Sequence, residues 1–161
     1  MSNTVKVGIS DLNVARNPDI LATFALGSCV GICLYDTKRK IGGLSHILLP
    51  DSGGQKPLQM PYRFADTAIP LLLKRMEAMG ADRCFIKAKI AGGAQMFSAI
   101  GSASLSDIGK RNVKAVREAL FKLGIPIIAE DTGKNFGRTL FFYTEDGSMK
   151  IKSATQGEWV L

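Results

Sequence analysis

Histidine, cysteine and long apolar runs are all scarce in this chain, and each scarcity narrows the class of protein. The 161 residues include one histidine and three cysteines. Such a small, odd number of cysteines excludes a disulfide framework and favours reduced thiols in a cytoplasm. No run approaches the roughly 20 apolar residues that span a bilayer, and the N-terminus lacks the pattern of a secretory signal. We therefore predict a cytoplasmic protein with no direct membrane insertion.

Acidic side chains are outnumbered, and the excess of basic residues bears on the choice of partner. The chain has 21 lysines and arginines against 14 aspartates and glutamates, a net charge of +7. Such a charge is compatible with nucleic acid, an anionic membrane surface or an acidic protein. The basic residues are scattered, with Lys38-Arg39-Lys40 as the densest cluster, and no RNA-binding aromatic signature accompanies them. An ordinary solvated surface is the simplest interpretation, and nucleic acid is disfavoured.

Short apolar segments separated by turn residues dominate the first third of the chain. They predict strands at residues 5–9, 20–26, 30–35 and 41–48, followed by a loop at 50–57. Two helix-then-strand units and a final hairpin come next. The predicted helices cover residues 65–79 and 113–123, and the remaining predicted strands cover 84–90, 125–129, 139–144 and 149–153. Gly80 and Gly124 stand at the two helix ends, where a left-handed residue is favoured, and Pro70 predicts a kink or a later start in the first helix.

These elements predict one domain over residues 1–161. The composition, 46% hydrophobic and 22% charged, is typical of a folded globular protein. We expect an α/β (α+β) sandwich, with a mixed, largely antiparallel sheet core and two main helices packed on it in two or three layers.

Cys29 and the single histidine, His46, are placed to meet across a hairpin. The polar residues 36–40 separate the apolar segments that hold them, with Thr37-Lys38 midway. If Thr37-Lys38 is a two-residue loop, Cys29 lies directly opposite His46. Opposed residues in an antiparallel pair have Cβ atoms about 4.5–5.5 Å apart on one face, within reach of a thiol and an imidazole. A one-residue slip would place them on opposite faces.

A thiol beside an imidazole is the minimum for nucleophilic cysteine catalysis. An imidazolium neighbour would lower the thiol pKa and supply thiolate at neutral pH. Gly27 and Ser28, just before the cysteine, allow a sharp turn whose N–H groups are candidates for an oxyanion site. A third group should orient the imidazole, and Thr23, Asn17 and Asp51 are the candidates nearby in sequence.

Less specific interpretations compete with this one. A cysteine in an apolar run is usually a core residue, which is our expectation for Cys33 and Cys84. Cys29, Cys33 and His46 could instead share one sheet face as metal ligands. The second ligand pair of a typical zinc site is missing, however, so a metal is disfavoured.

Six segments along the chain form a recognisable series. They are TFALGSCV (residues 23–30), GLSHILLPDSGG (43–54), YRFADTA (62–68), KIAGGAQMF (89–97), IGKRN (108–112) and AEDTG (129–133). In this order they resemble the chemotaxis protein CheD family of chemoreceptor glutamine deamidases. The likeness covers nearly the whole chain, which makes it more specific than any single motif.

The resemblance implies a protein-glutamine deamidase that converts selected glutamines of methyl-accepting chemoreceptors to glutamate and releases ammonia. It implies a triad of Cys29, His46 and Thr23 that acts through a thioester without a metal or organic cofactor, in a sandwich similar to deamidating toxins. A CheC-type phosphatase of phosphorylated CheY is implied as a regulated partner. Receptor helices with methylation sites are rich in glutamate, so a charge of +7 would favour their approach. Two other functions stay open: a non-catalytic adaptor for the phosphatase and receptors, and a different thiol hydrolase, such as a peptidase or transglutaminase.

Glycine-rich segments and two departures from the family pattern complete the analysis. Residues 91–94 and 131–135 match neither a P-loop nor a dinucleotide fingerprint, so we expect turns near the active face. Ala25 stands where a glycine is common in the family, which should alter packing before chemistry. Lys134 stands where a second glycine is usual, which should alter the shape of that loop.

Overall fold

The computed structural model describes residues 2–54, 59–96 and 107–161, which form ten strands and two α-helices. The strands are β1 (Thr4–Lys6), β2 (Asp11–Arg16), β3 (Ile20–Leu26), β4 (Val30–Asp36), β5 (Ile41–Ile47), β6 (Ile86–Gly92), β7 (Ile127–Thr132), β8 (Arg138–Tyr143), β9 (Met149–Ser153) and β10 (Gly157–Val160). The helices are α1 (Ala65–Ala78) and α2 (Ile108–Lys122), with short 3₁₀ turns at Pro61–Arg63 and Arg83–Phe85. The predicted loop at 50–57 lies partly outside the described residues, as does Phe97 at the end of one motif.

The strands divide between two five-stranded sheets. We call β1-β3-β8-β9-β10 the outer sheet and β2-β5-β4-β6-β7 the central sheet. β1 runs parallel to β3 and β7 runs parallel to β6, while the other neighbours pair antiparallel. The predicted mixed, largely antiparallel sandwich with two main helices is confirmed. Its strands form two sheets, where the sequence had indicated one.

Two adjacent glycines of β5 show how the layers stack. A Cβ added to Gly42 would lie 3.0 Å from Phe142 of the outer sheet, and one added to Gly43 would lie 2.8 Å from Leu72 of α1. Successive strand residues point to opposite faces, so the central sheet lies between the outer sheet and the helices. One apolar cluster fills the space between the central sheet and the helices, and a second fills the space between the sheets.

Both helices pack their apolar stripe on the central sheet and end before a left-handed glycine. Gly80 has φ 103° and Gly124 has φ 71°, which confirms both predicted helix ends. α1 begins at Ala65 and continues through Pro70 to Ala78, which rules out the later start, one of the two alternatives predicted from Pro70. The proline removes only the donor to the carbonyl four residues earlier, that of Asp66. Neither helix in the described ranges is long and apolar enough to cross a membrane.

Two edge strands were not predicted from the sequence. β2 and β10 lie at the edges of the central and outer sheets. Polar and apolar residues alternate at the start of β2, and β10 has only four residues, so neither shows a continuous apolar run. The strand predicted at 5–9 pairs only over Thr4–Lys6. Ser10, with φ 59°, stands in the turn that carries the chain from the outer sheet to β2 of the central sheet.

Candidate active site

The hairpin of β4 and β5 is present, but its register differs from the predicted one by two residues. Asp36 pairs with Ile41, and Gly31, not Cys29, lies opposite His46. The turn has four residues because the carboxylate of Asp36 accepts hydrogen bonds from the N–H groups of residues 38 and 39, both at 3.0 Å. A shift of two preserves the face on which each side chain lies.

Thr23, Cys29 and His46 lie at one end of the sandwich. Thr23 is near the end of β3, Cys29 immediately precedes β4, and His46 is near the end of β5. The chain crosses from the outer to the central sheet through residues 27–29. Thr23 and His46 are fully buried, and Cys29 is 6% exposed.

Thr23 holds the imidazole of His46 across the gap between the sheets. Its Oγ1 lies 2.7 Å from Nδ1 of His46 and donates a hydrogen bond to the carbonyl of Val7, also at 2.7 Å. Because a hydroxyl carries one proton, Oγ1 must accept from Nδ1–H of the ring. The neutral ring therefore has a bare, basic Nε2.

Burial keeps this ring neutral. It lowers the pKa of His46 to about 4, because a charged imidazolium loses solvation in the interior. Nε2 is buried and has no hydrogen-bond partner within the described ranges. The arrangement is that of an oriented general base whose lone pair is available.

Cys29 is a neutral thiol in this environment. Burial raises its pKa above the ordinary value, and its own backbone N–H, hydrogen-bonded to the sulfur, partly offsets that effect. The expectation that an imidazolium would supply thiolate at neutral pH is therefore wrong, since the ring of His46 is itself uncharged. Both side chains are thus neutral in the resting protein, without a preformed ion pair between them.

The loop that carries the thiol is fixed by its carbonyl groups. Three consecutive carbonyls accept one hydrogen bond each from outside the loop. The pairs are Ala94 N–H to Gly27 O at 2.8 Å, Asn112 Nδ2 to Ser28 O at 2.9 Å, and Gly93 N–H to Cys29 O at 2.8 Å. A loop held at three successive peptide units has little freedom to move its side chains.

The N–H groups of the same loop divide into used and available donors. Gly27 donates to the carbonyl of Ala25 at 3.1 Å, so its N–H is engaged. Ser28 and Cys29 have no backbone acceptor in the described part of the chain. Of the two predicted oxyanion residues, Ser28 keeps an N–H without a partner among the described residues, whereas the N–H of Cys29 is engaged by its own sulfur.

Glycine is required where the chain after β6 passes this loop. A Cβ on Gly92, which has φ 111°, would lie 2.2 Å from the carbonyl oxygen of Cys29. Gly133 donates to the carbonyl of Gly92 at 3.0 Å. Each glycine-rich segment thus begins in the last two residues of a strand, β6 or β7, and continues as a loop beside the candidate site, where turns had been predicted.

The other candidate residues lie away from this constellation. Asn17 and Asp51 are exposed, and Asp51 accepts from the N–H of Gly53 at 2.9 Å. Cys33 is buried between the sheets, as predicted, whereas Cys84 is exposed in a 3₁₀ turn, so its predicted core position is wrong. In the ranges that the structure describes, no three His, Cys, Asp or Glu residues are grouped to hold a metal.

Asn112 is the one residue of the site that chemical reasoning from the sequence missed. It is fully buried on α2, far along the chain from the loop that it contacts. The only sequence feature that pointed to Asn112 was its position in IGKRN, one of the segments that resemble the family.

The two departures from the family pattern share one backbone cause. Ala25 has φ 59° and Lys134 has φ 63°, in the left-handed region that glycine adopts without steric cost. Both side chains are exposed. The expectation of altered packing at Ala25 is wrong, since the consequence falls on the backbone.

Ala25→Gly is expected to raise the free energy of unfolding by about 0.5–1 kcal/mol. Relief of the left-handed alanine should exceed the entropy that glycine adds to the unfolded chain. Ala154→Gly is the matched control, since Ala154 is exposed and has no positive φ, and it should lower stability instead. Urea unfolding of both variants measures the difference, and equal losses would contradict the argument.

Comparison with known proteins places the chain among its relatives. Residues 48–153 match the family described as CheD chemotactic sensory transduction. A protein of Clostridium novyi named "Probable chemoreceptor glutamine deamidase CheD" is 53% identical over 95% of this chain and 94% of its own length. A protein of the same name from Clostridium botulinum is 52% identical over the same shares.

Among solved structures, the hypothetical protein YfiH of Bacillus licheniformis superposes with a TM-score of 0.44 at 18% identity. The match covers 76% of this chain and 50% of YfiH, a likeness too low to bear on function. The family match and the identities to its curated relatives confirm the resemblance found in the sequence motifs. The chain belongs to the CheD family.

Proposed function

We propose that this protein deamidates glutamine side chains of chemoreceptors through a thioester on Cys29. The observation that carries the proposal is the bond of 2.7 Å between Thr23 and Nδ1 of His46. It leaves Nε2 as a base at the end of the sandwich where the thiol lies. Relatives at 52–53% identity, named chemoreceptor glutamine deamidases, supply the substrate class.

Formation of the thioester is the first step of the proposed reaction. The sulfur of Cys29 attacks the carboxamide carbon of the glutamine while Nε2 of His46 takes the thiol proton. The negative charge that develops on the carboxamide oxygen is stabilised by the N–H group of Ser28. The C–N bond then breaks, and the proton on Nε2 passes to the departing ammonia.

Hydrolysis of the thioester completes the cycle. Nε2 accepts a proton from a water molecule, whose oxygen bonds to the thioester carbon. The C–S bond breaks, the proton returns to the sulfur, and the products are glutamate and the free thiol. Thr23 keeps its hydrogen bond to Nδ1 throughout and so stabilises the imidazolium that forms in each half-reaction.

The partners and location follow from family membership. The net charge of +7 favours approach to a glutamate-rich receptor helix. A CheC-type phosphatase of phosphorylated CheY is the second proposed partner, and a cytoplasmic location suits both. The family likeness alone supports these last two proposals.

Mass spectrometry of the cytoplasmic helical region of a chemoreceptor tests the activity. Incubation with the protein should add about 1 Da at individual glutamines in ordinary water and about 3 Da in water labelled with oxygen-18, because hydrolysis of the thioester inserts one water oxygen. A receptor fragment without the protein is the control for spontaneous deamidation.

Each alternative function gives a different mass. An unchanged receptor mass would overturn the deamidase and favour the adaptor. Backbone cleavage would favour a peptidase. Addition of methylamine at glutamine, when that amine is supplied, would favour a transglutaminase.

A further inference from the structure

Asn112 joins the two segments that carry the candidate nucleophile and base. Its Nδ2 donates to the carbonyl of Ser28 at 2.9 Å and to the carbonyl of Leu48 at 3.1 Å. Ser28 immediately precedes Cys29, and Leu48 follows His46 by two residues. A single amide nitrogen therefore links both segments.

The orientation of this amide is fixed by its partners. An oxygen in place of Nδ2 would face two carbonyl oxygens, so only the nitrogen fits there. Oδ1 of Asn112 is buried and has no partner among the described residues. Leaving such an oxygen unpaired carries an energetic cost. The residue keeps its two donor contacts in spite of that cost.

Glycine brings α2 close enough for the contact. A Cβ on Gly109 would lie 2.4 Å from the carbonyl oxygen of Ala94, and one on Gly93 would lie 2.9 Å from the carbonyl oxygen of Gly109. The first turn of α2 thus packs directly on the backbone of residues 93–94. Asn112 follows Gly109 by three positions, on the same face of the helix.

Asn112 also differs from the other groups that hold the loop of residues 27–29. The carbonyls of Gly27 and Cys29 are held by backbone N–H groups, whereas that of Ser28 is held by a side chain. Its substitution therefore removes one of the three contacts that hold this loop and leaves the backbone unaltered. The same change removes one contact of the segment after His46, at the carbonyl of Leu48, whose N–H still donates to the carbonyl of Arg63.

We infer that Asn112 is a positioning residue that sets the distance between the sulfur of Cys29 and Nε2 of His46. This inference rests on the proposed function for its kinetic consequence, although the distance itself can be probed without a receptor. A displacement of about 1 Å between reacting groups costs on the order of 100-fold in rate. A purely structural asparagine would affect stability and leave the coupling of thiol and imidazole unchanged.

The test compares Asn112→Leu with Val116→Ala. Leucine matches asparagine in size and lacks the donor. Val116 is fully buried on the same helix and belongs to the apolar cluster between the central sheet and the helices, so its variant controls for lost helix packing. Deamidation of the receptor fragment should show kcat lowered about 10- to 100-fold in Asn112→Leu, with little change in KM. Val116→Ala should keep the full kcat of the folded protein.

Alkylation of Cys29 by iodoacetamide supplies the readout that needs no receptor. All variants carry Cys84→Ser, because Cys84 is exposed. His46→Asn should lower the rate of Cys29 alkylation. In a protein that already carries Asn112→Leu, the factor by which His46→Asn lowers this rate should be at least about 5-fold smaller, as expected of coupled residues. In Val116→Ala the effect of His46→Asn should persist in full.

Additive effects of Asn112→Leu and His46→Asn on alkylation would overturn the inference. So would an unchanged kcat in a folded Asn112→Leu protein. If leucine prevents folding, Asn112→Ser replaces it, since a smaller side chain removes the amide without adding bulk. If the two substitutions are coupled in the alkylation assay but the wild-type protein does not deamidate the receptor fragment, only the proposed function is refuted.

Discussion

Replacing Cys29 with alanine is expected to lower the rate of receptor deamidation by about 10³-fold or more, because no thioester can form without the sulfur. The fold should survive, since the change removes one atom from a side chain beside the half-buried Gly27 and Ser28. Single-turnover mass spectrometry of the receptor fragment measures the rate. Urea unfolding measures stability in the same samples.

The other two cysteines provide matched controls for this substitution. Cys33 lies in the same inter-sheet cluster as Cys29 and is buried, and Cys84 is exposed. Cys33→Ala and Cys84→Ala make the same chemical change and should leave the rate nearly unchanged. A Cys29→Ala protein that retained more than about one tenth of the activity would refute the nucleophile. A comparable loss in Cys33→Ala would point to packing as the cause.

The hairpin illustrates what the sequence could and could not predict about the site. Alternating apolar segments around residues 36–40 were enough to predict both strands. They could not predict the register, because the carboxylate of Asp36 accepts two N–H groups and widens the turn to four residues. The predicted pair keeps a common face because the error is an even number of residues.

Contacts between layers were beyond the reach of local patterns. Thr23 belongs to the outer sheet and His46 to the central sheet, so no strand pairing relates their positions. The family resemblance alone selected Thr23 over Asn17 and Asp51. Asn112 approaches the loop of residues 27–29 from a helix more than eighty positions away in sequence. Sheet-to-sheet and helix-to-loop contacts depend on how layers stack, which periodicity does not specify.

The electrostatic state of the pair also depends on burial, which the sequence does not give. Thiolate at neutral pH was expected from a charged histidine neighbour. Burial instead raises the pKa of Cys29 and lowers that of His46, so both groups are neutral before substrate binds. In the proposed mechanism, charge separation therefore arises during the reaction, where the bond between Thr23 and Nδ1 stabilises the imidazolium.

The neutral state of His46 predicts a loss of stability in mild acid. Its pKa is about 4 in the folded protein and about 6.5 in the unfolded chain. Between these values the unfolded chain binds the proton and the folded protein does not, so the free energy of unfolding falls as the pH falls. The full difference amounts to about 3 kcal/mol, of which about 2 kcal/mol is lost between pH 6.5 and 5.

His46→Asn is the variant that isolates this effect. The asparagine amide can take the place of Nδ1–H as donor to Thr23 Oγ1 but does not titrate, and the chain has no other histidine. Hydrogen bonds from Arg117 and Ser148 lower the pKa of Glu130 and Asp146, respectively. The contribution of these two carboxylates to the free energy of unfolding is therefore lost only at lower pH. Urea unfolding from about pH 7 to 5 should give a falling free energy for the wild type and a nearly flat one for His46→Asn. Equal slopes for the two proteins would mean that the imidazole is charged or solvated in the folded state, and a base with a bare Nε2 would then be excluded.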